Sequence, residues 1–97
     1  MEVVFHRLFQ RDLNAAIRYY DGEGGRELGD RFFLELELTV GKVTQNPRRF
    51  HFASGNLRRA ALRKFPYHVL FEETPTRLKF LVLRHDRRHP SYGMNRL

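Results

Sequence analysis

Seven side chains in the second half of the chain have types and spacing that suit chemistry on an anion. Arg58, Arg59 and Arg63 fall in one basic stretch, and Arg87 and Arg88 in another, with His85 and Tyr92 beside the second. Guanidinium groups are permanent cations that hold carboxylate or phosphate oxygens in a fork. His85 could take or give a proton, because imidazole titrates near neutrality. Tyr92 could stack on a base or donate a proton. Each has a plainer use as well. The arginines can be solvated or pair with a partner's carboxylate, His85 can cap a strand through a backbone hydrogen bond, and Tyr92 can anchor the tail on a sheet. Tyr67 and Phe71 read as core.

Charge supports an acidic partner. The chain has 97 residues and a formal charge of +7. Residues 1–47 carry a net −2 and residues 48–97 a net +9. Solubility alone does not require charge to be segregated, so the split implies a basic face and an anionic partner, either nucleic acid or an acidic protein segment.

The length allows one domain, 1–97, with one modest core. There is no cysteine, which excludes disulfides and thiolate metal sites. His85 and His89 are spaced i, i+4, but Pro90 argues against a helix there, so no metal and no cofactor is expected. No apolar run is long enough to span a membrane and the N-terminus lacks a signal-peptide core, so the expected compartment is the cytoplasm.

The elements that must position these side chains are legible as periodicities. Glu2 to His6 is short and β-branched, a first strand. Phe9, Leu13, Ala16, Ile17 and Tyr20 make one helical stripe, which must stop near the glycine-rich 21–25 segment. Residues 28–45 fit two patterns. Leu34, Leu36, Leu38 and Val40 alternate as in a strand, whereas Leu28, Phe32, Leu36, Val40 and Val43 form a helical stripe. Length and the Leu/Glu content favour a helix, ended by Asn46-Pro47. A loop over 48–56 is followed by three strands, 57–64, 67–73 and 78–85, with short antiparallel connections. Leu78, Phe80 and Val82 are expected on one face of the last strand, and Leu81 and Leu83 on the other. The fold class is α+β in the order βααβββ: an antiparallel sheet of about four strands with a helical hairpin on one face. Arg59 and Arg63 would then share the open face, with the Arg87-Arg88 tail folding over it.

These residues resemble the RelE/ParE superfamily, the toxins of type II toxin–antitoxin (plasmid stabilisation) systems. The resemblance covers nearly the whole chain. It rests on Asp12-Leu13 with Ile17 and Tyr20, on Phe32 and Leu36, on Asn46-Pro47 and Leu57-Arg58. It continues through Arg63-Lys64-Phe65-Pro66-Tyr67 and His85-Asp86-Arg87-Arg88-His89-Pro90. It implies a cognate antitoxin that wraps the helical hairpin and a sheet edge, with Phe9, Leu13, Tyr20 and Phe32 as its expected contacts. RelE-like members cut mRNA on the ribosome; ParE-like members inhibit DNA gyrase.

Metal-free RNA cleavage needs a base, an acid and cations around the phosphorane. Here His85, Arg63, Arg87 and Tyr92 would be the catalytic set. Against this, no carboxylate is placed as a base beside His85, because Asp86 should point to the opposite face. Lysines number only three: Lys42, Lys64 and Lys79. The tail is closer to ParE-like sequences, with Gly93 where those often carry tryptophan. The expectation is therefore a ParE-like gyrase inhibitor that engages its target through Arg58, Arg59, Arg63, Arg87 and Arg88; on that branch the protein is no enzyme, and on the RelE-like branch it is an endoribonuclease. The alternatives are a RelE-like endoribonuclease acting on ribosome and mRNA, and an inactive homologue that only binds antitoxin or RNA.

Overall fold

In the computed structural model, which describes residues 1–96, both helices stand where the apolar stripes place them. The order is β1 (Glu2–Phe5), α1 (Arg7–Gly24), α2 (Arg26–Gln45), β2 (Phe52–Ser54), β3 (Leu57–Ala61), β4 (Tyr67–Glu73) and β5 (Arg77–His85), with 3-10 turns at Pro47–Arg49 and Met94–Arg96. His6 starts α1 by accepting the Leu8 N–H on its Nδ1 at 3.1 Å. Gly25 alone separates the helices. Its φ of 78° reverses the chain, and its N–H donates to the Asp21 carbonyl at 2.9 Å. The result is an antiparallel hairpin. Asn46-Pro47 ends α2 as expected, because proline cannot continue the ladder.

The helices bury Phe9, Leu13, Ala16, Phe32, Leu36 and Val43 against Ala60, Leu62, Val69, Phe71, Leu78, Phe80 and Leu83 of the sheet side. Burying a phenylalanine such as Phe32, Phe71 or Phe80 contributes about 2–3 kcal/mol before entropy is counted.

The sheet differs from expectation in several ways. It has five strands, ordered β1-β5-β4-β3-β2. It is mixed rather than antiparallel, because β1 pairs parallel with β5, Val3 opposite Leu78. The long connection that a parallel pair requires runs through the helical hairpin and then strands β2 to β4. The 48–56 segment is not all loop: Phe52–Ser54 pairs with β3, but the strand is short, exposed and shifted in register, so it shows no period in the sequence. Strand β3 ends at Ala61, which leaves Arg63 in the bend before Pro66 rather than beside Arg59 on a strand face.

The last difference carries most consequence. Phe80 pairs with Phe71 and Val82 with Leu70, so Leu81 is an extra residue, a β-bulge. A bulge advances the alternation by one. Leu78 and Phe80 therefore face the helices together with Leu83, while Leu81 and Val82 share the open face. The expected positions of Val82 and Leu83 are exchanged, and the same shift puts Arg84 on the open face and His85 on the helix side.

Candidate functional site

The open face is built from alternate residues: Leu57 and Arg59 on β3, His68 and Leu70 on β4, Leu81, Val82 and Arg84 on β5. The chain beyond β5 folds back over it. Tyr92 and Met94 pack on Leu57, Leu70, Leu81 and Val82. Gly93 sits with φ 82° where an added Cβ would meet Val82 Cγ2 at 2.5 Å, so this close approach requires glycine. The tail is thus docked without an aromatic side chain at position 93.

The docking is polar at its centre. Arg96, only 8% exposed, pairs with Asp12 of α1 at 2.6 Å and also donates to the Leu81 carbonyl at 3.0 Å. Asp12 further accepts the Tyr92 hydroxyl at 2.7 Å and the Leu83 N–H at 3.1 Å. The carboxylate raises the Arg96 pKa.

Beside the docked tail lies a cleft of about 690 Å³, lined by His51, Phe52, Arg59, His68, Arg84 and Arg88, with Asp86 as its acidic group. Arg84 Nε donates to His68 Nε2 at 3.0 Å. Arginine has no acceptor, so Nε2 must be bare and the proton must sit on Nδ1. That Nδ1–H donates to Asp86 Oδ1 at 2.8 Å, and Arg59 Nη2 reaches the same oxygen at 3.2 Å. Burial holds the His68 pKa below its ordinary value; Arg59 and Arg84 act in the same direction and the Asp86 hydrogen bond opposes them. Burial, then the Arg59 charge, likewise lowers the Arg84 pKa. Arg84 also holds the tail through the Pro90 and Tyr92 carbonyls at 2.6 and 3.2 Å. One carboxylate thus shares the cleft with three guanidiniums, of which Arg59 and Arg88 are exposed to solvent.

The expected site residues distribute unevenly around this cleft. Arg59 and Arg88 line it. Arg58 does not: it lies 4.0 Å over the Phe52 ring and donates to the Phe50 carbonyl at 2.6 Å, tying β2 to β3. Arg87 is exposed in the turn after β5. Arg63, exposed past the end of β3, lines none of the recesses described here. His85 is turned by the bulge to the helix side, edge-on to Tyr67 at 5.1 Å, and its Nδ1 accepts the Arg87 N–H at 3.0 Å. His85, Tyr92 and Arg88 do share a smaller recess of about 230 Å³. Its carboxylate is Asp12, already engaged by Arg96, Tyr92 and the Leu83 amide. Among the described residues no group of three or more His, Asp or Glu side chains could hold a metal ion.

Phe9, Leu13 and Phe32 are core residues, and Tyr20 is half-buried between Phe32 and Phe65, so these four offer little free surface to an antitoxin. On α2 the large apolar residues left exposed lie one step round from the core stripe: Phe33, Leu34 at 58% and Leu38 at 61%. Phe33 also lines a groove of about 540 Å³ with Phe5, Phe9, Leu13, Leu36 and Val40.

Arg84 and Arg96 are structurally central polar residues with no role expected from the sequence, and Asp12, His68 and Asp86 have structural roles that the sequence did not reveal. Asp12 carried a signal as a carboxylate on the apolar stripe of α1, and Asp86 only as a member of the motif after β5.

No family model and no curated protein matches the chain. Among solved structures it is similar to a chain of the chromosomal ParDE TA system from P. aeruginosa, with a TM-score of 0.79 at 17% identity, over 88% of this chain and 95% of that one. Similarity at this identity is one of fold. The chain has the ParE-like α+β fold that its motifs imply.

Proposed function

We propose that this protein is the toxin of a type II toxin–antitoxin pair, ParE-like in action, and that it inhibits DNA gyrase by binding rather than by catalysis. The observation that carries this is the commitment of both carboxylates near the basic face. Asp86 is held by His68 and Arg59, and Asp12 by Arg96, Tyr92 and the Leu83 amide. Neither is free to serve His85 as a base, and Glu23, which lines a separate recess with His85, makes no hydrogen bond to it among the described residues. Exposed Arg59, Arg87 and Arg88 remain as target contacts, and the fold likeness supports the toxin assignment. An antitoxin segment would cover Phe33, Leu34, Leu38 and the adjoining apolar groove, and the protein would act in the cytoplasm.

The grouping of His85, Tyr92 and Arg88 around one recess favours a second reading, a ribosome-dependent endoribonuclease. Induced expression of variants separates the two. A gyrase inhibitor keeps its toxicity in His85→Ala and loses it in the Arg87→Ala/Arg88→Ala double variant. A nuclease loses it in His85→Ala.

A further inference from the structure

The end of α1 meets the loop after β3 in a recess of about 510 Å³ with aromatic walls and one carboxylate. Tyr19, Tyr20, Tyr67 and His85 form the walls, and Glu23 lies at the rim. Successive rings stand steeply to one another. Tyr19 meets Tyr20 at 5.1 Å and 78°, Tyr20 meets Tyr67 at 6.1 Å and 62°, and Tyr67 meets His85 at 5.1 Å and 75°. The four rings therefore line the recess without stacking on one another. Among the described residues, none of the three phenol oxygens has a hydrogen-bond partner in the protein, and Glu23 has no ion-pair partner.

Three independent features ask for a positive charge here. Aromatic faces attract cations through their quadrupole. The Glu23 carboxylate is uncompensated. The last turn of α1, whose outward carbonyls carry partial negative charge, contains no basic residue. The protein does not fill the space with a cation of its own: Arg88, which borders Tyr67 and His85 in the adjoining recess, is stacked over Tyr92 at 4.0 Å. Burial raises the phenol pKa values of Tyr20 and Tyr67, which keeps the walls uncharged at physiological pH.

We infer that this recess is a cation cage that takes an arginine side chain from a segment of a partner protein, the planar guanidinium lying against a tyrosine ring while its N–H fork meets Glu23. The site goes beyond the toxin assignment and does not depend on it. It also explains why an otherwise basic protein keeps an acidic, aromatic pocket at the helix-hairpin end.

The test is a titration of the whole protein with the peptide acetyl-Gly-Arg-Gly-amide, followed by amide NMR, beside the same peptide with citrulline, which keeps the shape and loses the charge. The cage gives saturable shifts at Tyr19, Glu23 and Tyr67 that are about fivefold or more weaker with citrulline. Glu23→Gln and Tyr19→Ala each weaken arginine binding about two- to fivefold while leaving the thermal midpoint in place, since Tyr19 is 56% exposed. The inference is overturned by non-saturating shifts, by equal response to the two peptides, by Glu23→Gln binding like the parent, or by shifts that map to another surface.

Discussion

Asp12 and Arg96 lie 84 positions apart in the chain and form a buried ion pair at 2.6 Å, which ties the first helix to the end of the tail. Removing one partner of such a pair strands the other charge in a dry environment. Asp12→Ala also orphans the Leu83 amide and the Tyr92 hydroxyl. It is expected to cost about 3 kcal/mol or more in urea unfolding. Glu2→Gln, which breaks the half-exposed Glu2–Arg77 pair at 3.1 Å, should change stability by no more than about 0.5 kcal/mol. The same network means that truncation after Asp86 would damage the fold as well as any target contact, so point substitutions at Arg87 and Arg88 are the cleaner probe.

Gly93→Ala meets two obstacles, a φ of 82° and contact with Val82. An expected loss of about 1–3 kcal/mol follows from the backbone conformation and the crowding together. Adding Val82→Ala relieves the crowding only. Thermal unfolding of the double variant should therefore show a smaller loss than the sum of the two single losses.

His68 is 3% exposed and its folded pKa lies below the ordinary 6.5, through burial first. Between the folded pKa and about 6.5 the unfolded chain binds more protons than the native one, so stability rises with pH across that window. The contribution is complete above the unfolded value and is lost as pH falls below it. His6 shifts in the same direction. Unfolding free energies measured through this window should therefore show a positive slope that His68→Gln reduces without abolishing. Nitrogen shifts of the His68 ring should report Nδ1–H at neutral pH, since Arg84 occupies Nε2.

The two faces of α2 should respond oppositely to substitution. Phe32→Ala removes a ring with no exposure and is expected to cost about 3–5 kcal/mol. Leu34→Lys and Leu38→Lys sit on the outer face and should leave unfolding within about 0.5 kcal/mol. If an antitoxin covers that face, these two variants weaken its binding at least about tenfold by titration calorimetry, about 1.4 kcal/mol.

Both helices could be read in the sequence because burial writes a period into it: Phe9 to Tyr20 and Leu28 to Val43 each form one stripe. The strands were legible as runs but not as faces. In β5, apolar residues stand on both sides, so alternation carries no phase and the Leu81 bulge leaves no mark. That single extra residue decides which side His85 and Arg84 occupy. The parallel pairing of β1 was hidden because it depends on where the helical hairpin returns the chain. The Asp12–Arg96 and His68–Asp86 contacts were invisible for a similar reason, since each joins residues distant in sequence.

The most direct measurement is a parallel assay of the purified protein on gyrase with relaxed plasmid and on translating ribosomes. Gyrase inhibition by binding requires that supercoiling stops, that translation and mRNA remain intact, and that the Arg87→Ala/Arg88→Ala variant loses the effect while His85→Ala keeps it. Cleaved mRNA with unimpaired supercoiling would contradict it.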